Sequence, residues 1–188
     1  MSSAGEGPRL RLAQDEGADA LLSRDPFALL VGMLLDQQFP MERAFAGPAL
    51  IASRLGVDVL DPASVAAIAE DDFTAVMTGP PAVHRYPGSM GRRVQALAAV
   101  IAERYDGDAT QLWGDASSGA ELRRRLESLP GFGAQKAKIF VALLAKQCGV
   151  RPTGWEQAAG DYALQGYRSV ADVVEAMQSH RPYRPALG

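Results

Sequence analysis

Leu129-Pro130-Gly131-Phe132-Gly133 runs directly into Ala134-Gln135-Lys136-Ala137-Lys138 and then into the apolar stretch Ile139 to Ala145. Pro130 stops the preceding segment, which carries Glu121, Arg123, Arg124 and Arg125. Two glycines one residue apart make a tight turn, and a second helix starts after Gly133. The first N–H groups of a helix have no partner within it and collect partial positive charge, so such a turn offers an anion several backbone donors. A nucleic-acid phosphate is the most relevant anion, and glycines let a sugar-phosphate backbone approach the main chain closely. All three lysines, Lys136, Lys138 and Lys146, lie here, with no acid between Leu129 and Gln147. The same residues also suit a plain connection between two antiparallel helices, in which the glycines serve the turn alone. Spacing by itself leaves both open.

Two further stretches carry side chains suited to nucleic acid. The apolar run Phe27 to Leu35 ends in Asp36-Gln37-Gln38-Phe39-Pro40. Phe39 or Met41 suits an apolar wedge between base steps, while the glutamines also suit an ordinary helix end meeting water. The longest loop, Gly79 to Gly88, carries His84, Arg85 and Tyr86, and Arg92 follows it. Tyr86 has the ring to stack on a base, and Arg85 or Arg92 the guanidinium to meet a phosphate. His84 reads as packing on a neighbour.

Leu-Pro-Gly-Phe-Gly-x-x-x-Ala at residues 129–137 resembles the helix-hairpin-helix of the HhH-GPD superfamily of DNA glycosylases. Only this hairpin is specific to the family; the rest of residues 25–178 is consistent with it. The resemblance implies an all-α, two-lobed array and double-stranded DNA as partner. It implies DNA contacts at Gly131, Phe132, Gly133, Gln135, Lys136 and Lys138. It also implies a gap-filling glutamine at Gln38 (or Gln37), with Phe39, Arg85 and Arg92 near the strand. Family members stabilise the positive charge that develops on the sugar with an aspartate after the hairpin helix. The position this implies falls near Thr153 to Trp155, where Glu156 is the nearest carboxylate. Asp161, in the setting Gly-Asp-Tyr-Ala-Leu, is similar to the aspartate of alkyladenine-type members if Arg151 to Ala159 holds an insertion. Asp172 is a more distant alternative that also suits a helix N-terminus. Members that nick the strand place a lysine two residues after the second glycine; here that residue is Gln135. Lys136 lies about 100° further round the helix. The implied enzyme is a monofunctional glycosylase using water, and the alternative is a non-catalytic DNA- or lesion-binding relative. A helical interaction protein is a third reading.

The elements that would hold these residues are helical throughout. Asp25-Pro26 and Asp61-Pro62 are start signals, an acidic cap followed by a proline suited to the first turn. Phe27 to Leu35 is apolar all round, which predicts a buried helix. Further helices are expected over Gln14 to Ser23, Met41 to Leu55 with Gly47-Pro48 interrupting it, Ala63 to Ala69 and Asp71 to Met77. Others are expected from a Ser89 cap to Tyr105, over Gly119 to Ser128, from Ala134 through the lysines, and over Ser169 to Gln178. Cys148 to Ala159 reads as a connection, and Pro8 to Leu12 as a short strand or extended arm. Residues 1–24 are expected to form an arm and first helix, 25–180 the helical domain, and 181–188 a tail. The lobes of that domain are expected to meet near the 79–90 loop and the 129–147 hairpin.

Composition bounds these readings. At 188 residues, 47% hydrophobic and 22% charged, the chain has the makeup of an ordinary globular protein with a real core. Its net charge of −3 means that any nucleic-acid contact comes from a local basic patch. A single cysteine, Cys148, rules out an internal disulfide and the four-cysteine iron–sulfur cluster that many glycosylases of this superfamily carry. No metal site and no cofactor are expected. The absence of a long apolar run and of a basic-then-apolar N-terminus predicts a cytoplasmic protein without membrane contact, and a monomer.

Overall fold

A computed structural model describes Leu10 and residues 12–163. The expected helix over 169–178, the tail and most of the N-terminal arm lie outside the described residues, as does Asp172. Among the described residues all regular structure is helical, and no helix is long and apolar enough to cross a membrane. They fall into two compact units that divide between Asp108 and Ala109.

The first unit holds α1 (Glu16–Arg24), α2 (Pro26–Leu35), α3 (Met41–Leu55), α4 (Pro62–Ala67), α5 (Glu70–Thr78) and α6 (Pro87–Arg104). Its centre is α2, in which every residue from Phe27 to Leu35 is buried. A helix without a polar face has no side to turn to water, and α1, α3 and α6 pack on it. Each of its large side chains contributes about 1.5–3 kcal/mol by leaving water. Contact with α3 is close enough that a Cβ on Gly32 would lie 2.5 Å from the Phe45 ring, and one on Gly47 2.6 Å from Leu35. Pro48 sits inside α3 without breaking it, contrary to the interruption expected from Gly47-Pro48. Tertiary burial of Pro48, Ile51 and Ala52 outweighs the lost backbone hydrogen bond.

Asp25 ties this unit together. One carboxylate oxygen accepts from Phe27 and Ala28 N–H at 3.0 and 3.1 Å, and the other from Leu60 N–H at 2.7 Å. One side chain therefore caps α2 and fixes the chain entering α4. Burial raises the Asp25 carboxyl above its ordinary range, and the backbone donors and Arg24 oppose that shift. Asp19 does similar work nearer the start, accepting from Leu12 and Ala13 N–H at 2.8 and 2.7 Å. Leu10 and Leu12 are thus buried against α1, where Leu10 N–H donates to Ser23 Oγ at 2.9 Å; the rest of Pro8 to Leu12 lies outside the described residues.

In the second unit are α7 (Gln111–Gly114), α8 (Gly119–Glu127), α9 (Ala134–Gln147), α10 (Trp155–Ala159) and a 3-10 turn (Gly160–Tyr162). The connection expected after Cys148 contains α10, whose start lies so close to α8 that a Cβ on Gly119 would meet Gly154 at 2.5 Å. Phe140 to Ala145 are all buried, whereas Ile139, the first residue of that apolar stretch, is only half-buried.

Replacing Asp25 by Ala should remove the cap of α2 and orphan the buried Leu60 N–H together. The expected loss is about 3 kcal/mol of unfolding free energy, read from urea denaturation. A loss of only a few tenths would show that Asp25 does not join α2 to the start of α4.

Candidate nucleic-acid interface

The turn between α8 and α9 is built by its own backbone. Leu129 N–H donates to Leu126 C=O at 3.0 Å and Phe132 N–H to Leu129 C=O at 3.1 Å. Gly131 has φ +80°, a left-handed conformation that disfavours any side chain. Gly133 differs. Its φ of −85° and ψ of −179° are ordinary extended values, and nothing lies within 4 Å of where its Cβ would be. The fold therefore needs glycine at 131 and has no need of it at 133. Gly133 C=O accepts the first helical bond, from Ala137 at 3.0 Å, while no side chain caps the start of α9. Gly131, Gly133, Ala134 and Gln135 are exposed. Lys136 and Lys138 are half-buried.

Phe132 does not join that exposed set. It is 4% exposed and meets Phe140 edge-on at 6.1 Å, so its ring anchors the turn to the core and does not face a DNA strand. The expectation of a direct contact at Phe132 is corrected accordingly. Trp113 also meets Phe140, with ring centroids 6.0 Å apart.

The carboxylate candidates divide. Asp161 is exposed and lies in the 3-10 turn, whose neighbour Tyr162 accepts a hydrogen bond at its Oη from Gln135 Nε2 at 3.0 Å. The turn therefore rests against the first turn of α9, with Gly160 beside the Lys138 stem, where a Cβ would lie 3.8 Å from Cδ. Glu156 is exposed on the first turn of α10. Both segments pack on α9, and Asp161 is the carboxylate whose segment is bonded to its first turn, through Gln135 and Tyr162.

α8 is held at its start by two side chains. Ser118 Oγ accepts from Glu121 N–H at 3.1 Å, and the Glu121 carboxylate reaches back to Ser117 N–H at 2.7 Å and to the Ser117 hydroxyl. Arg125 binds Glu121 at 2.8 Å and Asp115 at 2.6 Å, and Arg123 binds Glu127 at 2.7 Å. Those two guanidiniums serve the hairpin's first arm, and Arg124 is the exposed arginine of the three. The bonds to Ser117 and Arg125 pull the Glu121 carboxyl down to about 2.

In the first unit, the structure brings the other two candidate stretches together. His84, 1% exposed, shares a hydrogen bond of 3.1 Å between its Nε2 and Gln37 C=O, and its Nδ1 accepts from Tyr86 N–H at 3.0 Å. Its ring lies tilted against Phe39 with centroids 4.6 Å apart, and the Arg43 guanidinium lies over that phenyl ring, 4.8 Å from its centroid. Phe39 is 7% exposed and Met41 is 1% exposed; neither stands out as a wedge, because His84 and the core enclose them. Gln38 is exposed, with φ +52°, while the Gln37 amide oxygen is taken by Arg93 at 2.7 Å. Arg85 and Tyr86 are exposed. Arg92 is also exposed but leans to Glu70 at 3.5 Å, so Arg93, which sequence reasoning passed over, is the α6 arginine at the glutamine turn. Its signal was present: Arg93 follows Arg92 directly, but nothing in the sequence tells which of the two faces Gln37.

Among the described residues no three His, Cys, Asp or Glu side chains cluster as a metal site would require. Burial pushes the Cys148 thiol up to about 11, which makes it a poor nucleophile.

The two glycines should separate under substitution. Gly131→Ala should cost about 1 kcal/mol through its left-handed backbone, whereas Gly133→Ala should leave stability within about 0.5 kcal/mol. Equal losses in thermal or urea unfolding would contradict the open environment at Gly133. Glu121→Gln should lower the melting temperature at neutral pH. The wild-type carboxyl titrates below its ordinary range, so its contribution is present above that range and fades as pH falls toward about 2. Melting curves of the two proteins should therefore converge on acidification; a constant gap would disprove the assigned hydrogen bonds.

Set against protein-family models, curated proteins and solved structures, the chain matches none of them, so the likeness of residues 129–137 to the glycosylase hairpin rests on those residues themselves.

Proposed function

We propose that this chain binds double-stranded DNA through the turn between α8 and α9, and that it is a monofunctional glycosylase that hydrolyses the N-glycosidic bond of a damaged base. The observation that carries the reading is the hydrogen bond from Gln135 to Tyr162. It joins the first turn of α9, where an uncapped helix start faces out, to the short turn bearing Asp161. A phosphate gripped by N–H groups near Gly133 would set a strand beside that carboxylate.

In this reading Asp161 stabilises the positive charge that builds on the sugar as the bond to the base breaks. It also draws a proton from the water whose oxygen bonds to the sugar carbon, while the base departs with the electron pair of the broken bond and takes up a proton from solvent. Gln135 stands where a strand-nicking relative has its lysine, so no covalent Schiff base forms and water completes the reaction. Gln38, exposed in its strained turn, suits the gap left by an extruded base, and Arg85 suits a phosphate. The chemistry proposed uses side chains and water, and the site of action is the cytoplasm, where it would meet duplex DNA as a monomer.

One observation favours a second reading. Asp161 is exposed, and a carboxylate in water is a weak electrostatic catalyst unless bound DNA excludes the solvent around it. A lesion-binding protein without hydrolysis would carry the same hairpin.

Asp161→Asn should keep the fold and duplex binding while lowering base release by about two orders of magnitude or more. The assay is abasic-site formation on duplexes carrying alkylated, oxidised or deaminated bases. Borohydride should trap no protein–DNA adduct. Gly133→Asp should abolish most duplex binding, which should also weaken steeply with salt. Release that survives Asp161→Asn would move the chemistry to Glu156 or Asp172. Binding without release on any substrate would favour the second reading, and binding unchanged by Gly133→Asp would remove the hairpin from the interface.

A further inference from the structure

We propose that Gln135 and Tyr162 are a positioning pair, a role that rests on the reading that Asp161 acts in base release. Their side chains set how far the Asp161 carboxylate stands from a phosphate held at the start of α9, and the Gln135 side chain is not itself a DNA contact.

The Asp161 carboxylate has no tie of its own. It is exposed, and among the described residues no donor or cation bonds it. Its place is therefore inherited from the three-residue turn Gly160–Tyr162. The backbone of that turn is anchored on both sides. Ala159 and Ala163 are buried, and Ala163 N–H donates to Gly160 C=O at 3.0 Å. Gly160 has φ +58°, a conformation that favours glycine, and a Cβ there would lie 3.8 Å from Lys138 Cδ.

Successive side chains of a 3-10 turn point about 120° apart, so Tyr162 can turn to α9 while Asp161 turns to water. Tyr162 Oη meets Gln135 Nε2 at 3.0 Å, and among the described residues this is the side-chain hydrogen bond that joins the turn to α9. A phenol hydroxyl both donates and accepts, so the bond holds whichever way the amide is turned.

Gln135 is the second residue of α9. Its backbone N–H belongs to the first turn, whose donors have no partner within the helix, while its side chain runs to the Asp161 turn. One residue thus serves the anion site by its main chain and the carboxylate by its side chain. A strand gripped at the start of α9 meets Asp161 at a spacing set by the reach of one glutamine and one tyrosine. The bond lies in water and contributes little to the fold, but a carboxylate displaced by about 1 Å from the sugar loses much of its effect. The pair is therefore read in rate and not in stability.

The test is single-turnover base release, with protein in excess over duplexes carrying one alkylated, oxidised or deaminated base, alongside fluorescence anisotropy for binding. Tyr162→Phe removes one oxygen, and Gln135→Met removes the amide at nearly equal length. Each should slow release about tenfold, with the Kd for the duplex and the Tm close to wild type. The double variant should be no slower than either single one, since one bond is lost in all three. Added to Asp161→Asn, Tyr162→Phe should cost nothing further, because no carboxylate is left to place. Weaker binding by Gln135→Met with Tyr162→Phe unchanged would make the glutamine a DNA contact and overturn the pair. So would additive losses in the double variant, a loss that persists on Asp161→Asn, or slower release that only follows a lowered Tm. A wild type that releases base while both variants match it would fell the positioning role alone. A wild type that releases none would remove the proposed reaction, and the role with it, so the two failures are told apart.

Discussion

A helix as apolar as α9 has to be buried along its body, yet its first N–H groups have no partner within the helix. Burying those groups uncapped would cost about 1–3 kcal/mol each, so the start of α9 must either be capped or come to the surface. No side chain caps it, and it emerges at Gly133 in a turn with exposed backbone. Everything the second unit offers to a ligand follows from that constraint. Phe132 anchors the turn from inside, the Ser118 cap and the Glu121 bond to Ser117 stiffen the arm before it, and Gln135 reaches across to Tyr162. The far end of α9 is treated differently: Arg151 donates to Ala145 C=O at 3.0 Å, and Cys148 and Val150 N–H both reach Leu144 C=O. One end is closed by Arg151 and the returning chain, and the other carries no side-chain cap.

The first unit answers a parallel problem with buried polar side chains. α2 is apolar on every face, so its ends are where polar chemistry can enter. At its start Asp25 accepts three backbone N–H groups. After its end His84 bonds the Gln37 carbonyl. Both groups hold chain segments that are distant in sequence, and neither is spare. Gln147 is the contrast: its amide is buried, 5% exposed, and neither its oxygen nor its nitrogen has a hydrogen-bond partner among the described residues.

Helices with local signals were legible from the amino-acid order. Asp25-Pro26 and Asp61-Pro62 begin α2 and α4 with the expected side-chain caps, and the run from Phe27 to Leu35 is as buried as its composition requires. The longer helices followed from periodicity, whereas the short α7 and α10 did not, and ends shifted where tertiary contact intervened: α6 begins at Pro87, ahead of the expected Ser89 cap, and α3 runs through Pro48. The candidate site was half legible. Gly131 and Gly133 look alike in sequence, and only backbone angles separate a glycine the turn requires from one it does not. Phe132 and Phe39 stand among polar and small neighbours, where composition cannot say whether a ring points in or out. The pairing of His84 with Gln37 and Tyr86 depends on where α2 and α6 lie, which no local pattern encodes.

The central claim is that the uncapped start of α9 and the Asp161 turn form one face for duplex DNA. Titrating the isotope-labelled protein with a short duplex and following backbone amide resonances tests it most directly. The account predicts progressive shifts at Gly133, Ala134, Gln135 and Lys136 together with Asp161 and Tyr162, reversed by added salt. Amides of that group that stay still while the protein binds DNA through another surface would contradict it.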